Sequence, residues 1–236
     1  MAQSGAGRPG RGRGGAGRRP RQRLRTARGR SVSSARWLER QLNDPYVHAA
    51  RREGLRSRAA FKLLELDDRY RLLKPGLRVV DLGAAPGGWT QVAVERVKAG
   101  APGGGRVVAL DLEEMGAVAG AEVIRGDIHA AGTPATVRRA LGGTADLVLS
   151  DMAPPASGHR DTDHLRIVAL VQAAAELALD LLAVDGAFVA KVWQGGTAGE
   201  LLALLKRRFK NVRHAKPAAS RAGSAEIYLV CTGFRG

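Results

Sequence analysis

Two lysines and two carboxylates, Lys62, Asp151, Lys191 and Glu226, are the side chains of this 236-residue chain whose placement points most directly to chemistry. Asp151 and Lys191 each close a hydrophobic, strand-like run, Leu147-Val148-Leu149-Ser150 and Ala187-Phe188-Val189-Ala190. Glu226 opens a third such run, and Lys62 falls on a helix-like stretch further upstream. A lysine at the end of a buried strand costs free energy unless polar or charged partners meet it. Desolvation, or a second ammonium nearby, lowers a lysine's pKa and makes it usable as a base near neutral pH. Lys62 is a candidate for that second ammonium, with Asp151 and Glu226 orienting the pair. A plainer alternative for the set is a surface ion-pair network, and for Lys62 alone an ordinary helix lysine.

A ligand loop lies between these residues. Val79-Val80-Asp81-Leu82-Gly83-Ala84-Ala85-Pro86-Gly87-Gly88-Trp89 reads as a buried strand, a Gly-rich turn and a helix start. The spacing is neither the dinucleotide fingerprint nor a P-loop. A pyrophosphate site favours an uncharged, amide-rich turn at a helix N-terminus. Here Asp81 immediately precedes the turn, which suits a cationic ligand better, and S-adenosylmethionine carries a sulfonium, an amino-acid head and a ribose. Asp111 ends the next strand-like run, where a carboxylate can accept both ribose hydroxyls. Asp127 ends the third run and is placed to hold the adenine amine, or else serves as a turn residue or helix cap. Asp151-Met152-Ala153-Pro154-Pro155 lacks the Asp/Asn-Pro-Pro-aromatic pattern of amino-directed methyltransferases, which disfavours methylation of a base amine. A ribose 2′-hydroxyl is a poor nucleophile and needs a positioned base and an in-line approach, which the lysine pair would serve.

The elements that must position these residues alternate. Strand-like runs cover 77–82, 106–110, 122–125, 145–150, 186–191, 211–214 and 226–232, and helix-like stretches cover 88–98, 134–141, 162–183 and 198–209. Upstream, 34–73 reads as helical, broken at Asn43-Asp44-Pro45 and at Gly54. This pattern predicts an α/β, Rossmann-like fold: a mostly parallel seven-stranded sheet with helices on both faces and its ligand site at the carboxyl ends of the strands. The last two strands, with no helix between them, predict an antiparallel hairpin across Lys216–Ala225.

Net charge is +16, and residues 1–30 contain ten Arg, eight Gly and no acidic residue. Such a segment cannot bury enough apolar surface to offset its ordering entropy, so residues 1–33 are expected to form a disordered basic tail and 34–236 the folded domain. The excess charge implies a polyanionic partner such as RNA, the alternative being charge that serves solubility alone. No apolar run approaches a membrane span, the absence of an apolar h-region leads us to expect no secretory signal, and the first twenty residues hold too few large apolar side chains for the amphipathic helix of a transit peptide. The single Cys231 reads as a small core residue and suits a reducing, cytoplasmic compartment. The five histidines show no ligand-like spacing, so no metal site is expected. His159 and Arg160 are weighed as RNA contacts or a solvated loop, and Trp193 and Gln194 as the substrate mouth or core packing.

Taken together, Ser57-Arg58-Ala59-Ala60-Phe61-Lys62-Leu63, the loop Asp81–Trp89, Ser150–Pro154, Ala190-Lys191 and the Ser-Xaa-Glu-Xaa-Tyr pattern at Ser224–Tyr228 resemble the FtsJ/RlmE family of ribosomal RNA 2′-O-methyltransferases. The resemblance runs from about Ser34 to the C-terminus, and its motifs are specific as a set. It implies a Lys-Asp-Lys-Glu tetrad at Lys62, Asp151, Lys191 and Glu226, with Lys191 as proton acceptor. It implies S-adenosyl-L-methionine contacts at Gly87, Trp89, Asp111, Asp127 and Asp151. It further implies a uridine of 23S ribosomal RNA as target, on the assembled large subunit; separately, a monomer is expected. The Arg/Gly tail departs from the compact bacterial pattern. A tRNA or mRNA-cap 2′-O-methyltransferase on the same fold stays open at this point, as does a ribosome-assembly factor that binds RNA without catalysis.

Overall fold

The computed structural model describes residues 32–154, 160–194 and 199–236. The expected tail lies outside these residues up to position 31. The chain divides into two units, 1–44 and 45–236. In the first, helix α1 (Val32–Leu42) starts two residues before the expected domain boundary. It closes where the Asn43 side-chain amide donates to the Glu39 carbonyl over 2.7 Å.

The second unit carries the rest. Helices α2 (Pro45–Arg52) and α3 (Ala59–Tyr70) precede strand β1 (Arg78–Leu82) and helix α4 (Gly88–Val97). Strands β2 (Arg106–Asp111) and β3 (Ala121–Arg125), helix α5 (Thr133–Leu141) and strand β4 (Ala145–Ser150) follow. Helix α6 (Arg160–Leu181), strand β5 (Leu182–Trp193), helix α7 (Gly199–Arg208), β6 (Phe209–Ala215) and β7 (Glu226–Phe234) complete the chain. Pro45 opens α2 because its fixed φ and missing N–H suit a first helical position. Among the described residues no helix is long and apolar enough to cross a membrane.

The seven strands form one sheet in the order β3-β2-β1-β4-β5-β7-β6. The first five are parallel, and β7 pairs antiparallel with both β5 and β6. The expected hairpin of the last two strands is present. Its inner strand is β7, which inserts between β5 and β6. Strand β5 begins four residues earlier than patterning predicts, and α6 correspondingly ends at Leu181. Patterning leaves the segment 184–185 as a connection between helix and strand. In the structure it sits inside the strand, with Asp185 at φ 66° and an irregular register opposite Ala145–Leu147. A β-bulge absorbs such residues without ending the strand.

Parallel strands covered on both faces become continuous apolar runs, and β1 has four consecutive buried residues, Val79 to Leu82. Alternation then divides the core. Leu147, Leu149, Val189, Tyr228 and Val230 face one side with Leu63 and Leu66 of α3 and Trp89, Val92 and Ala93 of α4. Val148, Phe188, Ala190, Leu229 and Cys231 face the other, under α5, α6 and α7. Cys231 is fully buried, and burial pushes its thiol up to about 12.

Candidate active site

The period of two in a strand puts residues 147, 149 and 151 on one face, and likewise 189 with 191 and 226 with 228. Asp151, Lys191 and Glu226 therefore continue the face that α3 and α4 cover, at the point where the apolar packing ends. Helix α3 supplies Lys62 from above, and all four predicted tetrad residues meet. Lys62 Nζ is 2.8 Å from Glu226 Oε1 and 3.6 Å from Asp151 Oδ2. Lys191 Nζ is 3.2 Å from Asp151 Oδ1 and donates to the Asp151 carbonyl at 2.6 Å. Side-chain exposure runs only from 8% for Lys62 to 17% for Glu226. This is a largely desolvated cluster, where removing one partner strands a charge.

The remaining contacts fix the carboxylates. Tyr228, directly opposite Lys191 in the β5–β7 register, donates its hydroxyl to Asp151 Oδ1 at 2.6 Å. Ser220 Oγ donates to Glu226 Oε1 at 2.9 Å. Burial alone would raise the Glu226 carboxyl, but the Lys62 ammonium, Lys191 and the Ser220 hydroxyl together hold it below its ordinary value. Burial, with Asp151 and Glu226 beside it, keeps the Tyr228 phenol well above its own. Neither Tyr228 nor Ser220 emerges as a functional residue from sequence reasoning. For Tyr228 a signal was present: Glu-Xaa-Tyr spacing places both side chains on one strand face.

A cleft of about 690 Å³ opens beside this cluster at the carboxyl ends of β1 to β4, lined among others by Gly83, Asp111, Asp127, Asp151, Met152 and Arg166. That is within the usual size of a small-molecule pocket. Asp151 belongs both to the cleft and to the tetrad, so it joins the two. Gly83 has φ +70°, and a Cβ there would meet Met152 Cγ at 2.2 Å; glycine keeps this wall of the cleft open. The Asp111 carboxylate accepts from the Ala85 and Glu113 N–H groups, both at 2.8 Å, and so braces the loop after β1. Each oxygen has a second lone pair for a ligand hydroxyl. Asp127 also lines the cleft, and its Oδ1 accepts the His129 N–H at 2.9 Å. The turn role weighed for Asp127 and a place in the cleft thus hold together.

Gly87 and Trp89 lie apart from the cleft lining. Gly87, at φ 104°, is the N-cap of α4. The Trp89 ring is 3% exposed, and its indole N–H donates to the Ala59 carbonyl at 2.7 Å. Any cofactor contact at Trp89 therefore falls to its main-chain N–H in the first turn of α4, where helix N–H groups have no internal partner. Of the other candidates, Trp193 is half-buried against the larger core, and the Gln194 N–H donates to the Ala225 carbonyl. His159 and the side chain of Arg160 lie outside the described residues.

The donor set fits S-adenosylmethionine. Four carboxylates, Asp111, Glu113, Asp127 and Asp151, line the cleft. Just before the loop Asp81 is buried, with Oδ2 accepting from Thr90 at 2.7 Å and Oδ1 without a hydrogen-bond partner. An orphaned buried carboxylate oxygen calls for a cation. A phosphate ligand would meet repulsion here, whereas a sulfonium and an ammonium are welcomed.

Comparison with known proteins follows the same direction. The model of the FtsJ-like methyltransferase family matches residues 55–234. A curated protein of Parvibaculum lavamentivorans named ribosomal RNA large subunit methyltransferase E is 58% identical over 244 residues, covering 100% of this chain and 96% of that protein. One of the same name from Rhodospirillum rubrum is 55% identical over 214 residues, covering 91% of this chain and 81% of that protein. A solved structure from Plasmodium falciparum, described as a ribosomal RNA methyltransferase, is 32% identical with a TM-score of 0.68, covering 77% of this chain and 99% of its own.

Proposed function

This chain belongs to the FtsJ-like methyltransferase family, and on that premise we propose that it methylates the 2′-hydroxyl of a uridine ribose in 23S ribosomal RNA, on the assembled large subunit. One observation carries the reading: Lys62, Asp151, Lys191 and Glu226 converge where the cleft ends, with Asp151 shared between them. All four members are present, which speaks against a silent assembly factor. They come from a single chain, which supports action as a monomer, and the net charge of +16 suits an RNA partner in the cytoplasm.

S-adenosyl-L-methionine, when bound, supplies an electrophilic methyl group on its sulfonium. Asp111 and Asp127 would hold its nucleoside, the main-chain N–H groups of Gly88 and Trp89 its polar head (the Gly87 N–H is given to the Ala84 carbonyl), and Asp81 a positive centre. Lys191 would take the hydroxyl proton as the ribose oxygen accepts the methyl group, the cofactor's carbon–sulfur bond breaking to leave a neutral thioether. Asp151 keeps Lys191 aimed through both its carbonyl and its carboxylate. Lys62 and Glu226 form the neighbouring pair that fixes Asp151 from the other side. Positioning and proton removal together are what a weak hydroxyl nucleophile lacks in water.

The test uses large subunits from cells lacking this protein, incubated with the full-length chain and S-adenosylmethionine. Mapping of 2′-O-methyl groups is expected to reveal one newly protected uridine in 23S RNA. Methylation confined to a base, to tRNA or to cap RNA would defeat the assignment.

A further inference from the structure

Ala219, in the connection between β6 and β7, has both its N–H and its carbonyl held by side chains from one helical segment. Its N–H meets both carboxylate oxygens of Glu65 at 3.1 Å, and its carbonyl accepts from the Arg58 guanidinium at 2.5 Å. Glu65 lies in α3, and Arg58 is the residue just before it. Tyr46 adds a hydroxyl donor to Glu65 Oε1 at 3.3 Å. Connections between strands normally run free over the surface, yet Ala219 and Ser220 are buried, at 0% and 4% exposure. Two carboxylate oxygens converging on one backbone N–H fix a main-chain position.

The residue that follows the pinned one is Ser220, whose hydroxyl donates to Glu226 Oε1 at 2.9 Å. The same oxygen accepts from Lys62 at 2.8 Å. Glu65 and Lys62 are three residues apart on α3 and so share a helix face. Lys62 reaches Glu226 directly, and Glu65 reaches it through Ala219 and Ser220. We propose that Glu65 is a positioning residue of the methyl-transfer site: it holds the β6–β7 connection so that Ser220 keeps the Glu226 carboxylate on the Lys62 ammonium. One helix then sets both partners of that ion pair. The inference rests on the methyl-transfer reading above and extends it to a residue outside the tetrad.

The experiment is methylation of large subunits by the full-length protein under single-turnover and steady-state conditions. Glu65→Ala is expected to lower kcat about tenfold, the scale of loss when a supporting group lets a catalytic one drift. KM for the subunit and the calorimetric affinity for S-adenosylmethionine should hold. Glu65→Gln keeps an acceptor oxygen for Ala219 and should recover activity to within about threefold of wild type. The deciding measurement is a double-mutant cycle on residual single-turnover rates. In a Glu226→Ala background, with no carboxylate left to position, Glu65→Ala should add no further loss. Additive losses, or wild-type kcat in Glu65→Ala, overturn the proposal. If thermal unfolding and cofactor binding show Glu65→Ala to be misfolded, the cycle is run with Ser220→Ala, where non-additivity supports the relay and additivity overturns it. The wild-type arm separates the two readings: absence of 2′-O-methylation there defeats the functional assignment, whereas an active wild type with an additive cycle defeats only the role of Glu65.

Discussion

The Tyr228 hydroxyl lies 2.6 Å from Asp151 Oδ1 and 3.4 Å from Glu226 Oε1, so one buried phenol spans both carboxylates of the cluster. It has a single hydrogen, and the shorter contact takes it. With its ionisation pushed well above the ordinary tyrosine range by burial and by the two acids, the phenol remains a donor throughout the working pH range. Tyr228→Phe keeps the ring against Trp89, 5.6 Å between centroids, and removes only that donor. A hydrogen bond to a charged group contributes ~1.5–3 kcal/mol, so the single-turnover rate should fall about tenfold or more, with cofactor affinity unchanged. A wild-type rate would show that the bridge does not hold Asp151.

Lys191→Ala is expected to abolish methyl transfer, at a cost of ~100-fold or more, because it removes the proposed proton acceptor. The same variant should bind S-adenosylmethionine almost normally, since Lys191 acts on the hydroxyl. Single-turnover rates near wild type would remove Lys191 from its role.

Asp111 braces the Ala85 amide, and in the proposed function its remaining lone pairs meet the cofactor's ribose hydroxyls. Asp111→Ala should weaken S-adenosylmethionine binding by ~1–3 kcal/mol in a calorimeter. Unchanged affinity would place the ribose elsewhere.

Asp81 carries a pH signature. Burial first, with Asp151 and Asp111 adding to it and the Thr90 hydrogen bond opposing, raises its carboxyl from 3.8 to about 7. Between those values the folded protein binds more protons than the unfolded chain. Stability without ligand is therefore full below the unfolded pKa and declines as pH rises through about 7, with a slope approaching 1.4 kcal/mol per pH unit. Asp81→Asn should flatten that decline in thermal unfolding followed from pH 4 to 8. A bound cation favours the ionised acid, so wild-type affinity for S-adenosylmethionine should rise over the same interval, with protons released on binding. An equal slope in the Asn variant would assign the decline to other groups.

The basic tail should act through phosphates. Ten Arg without an acid in residues 1–30 add counterion release to RNA binding. Deleting them should flatten the slope of log affinity against log salt, with turnover at saturating subunit unchanged. An identical slope would mean the tail does not touch RNA.

The sequence by itself determined the strands and the strand-end positions of the candidate site residues, because each is written in local patterns. Continuous apolar runs such as Val79–Leu82 mark strands buried on both faces, and Asp111, Asp151 and Lys191 are legible as polar residues at strand ends. The start of β5 was not legible: patterning leaves 184–185 as a connection, and only pairing with β4 shows that the strand already runs there. What the tertiary structure decided is lateral. Sequence spacing predicts a hairpin from β6 and β7, but not that β7 lies against β5, and it is that register which sets Tyr228 opposite Lys191 and Glu226 opposite Trp193. The orientation of Trp89 was equally hidden, for its indole N–H donates to the Ala59 carbonyl and the ring is drawn into the core. Glu65 and Ser220 were invisible for a physical reason too: their partners are a backbone amide 154 residues away and a carboxylate across a turn, contacts that side-chain chemistry makes only after the chain has folded.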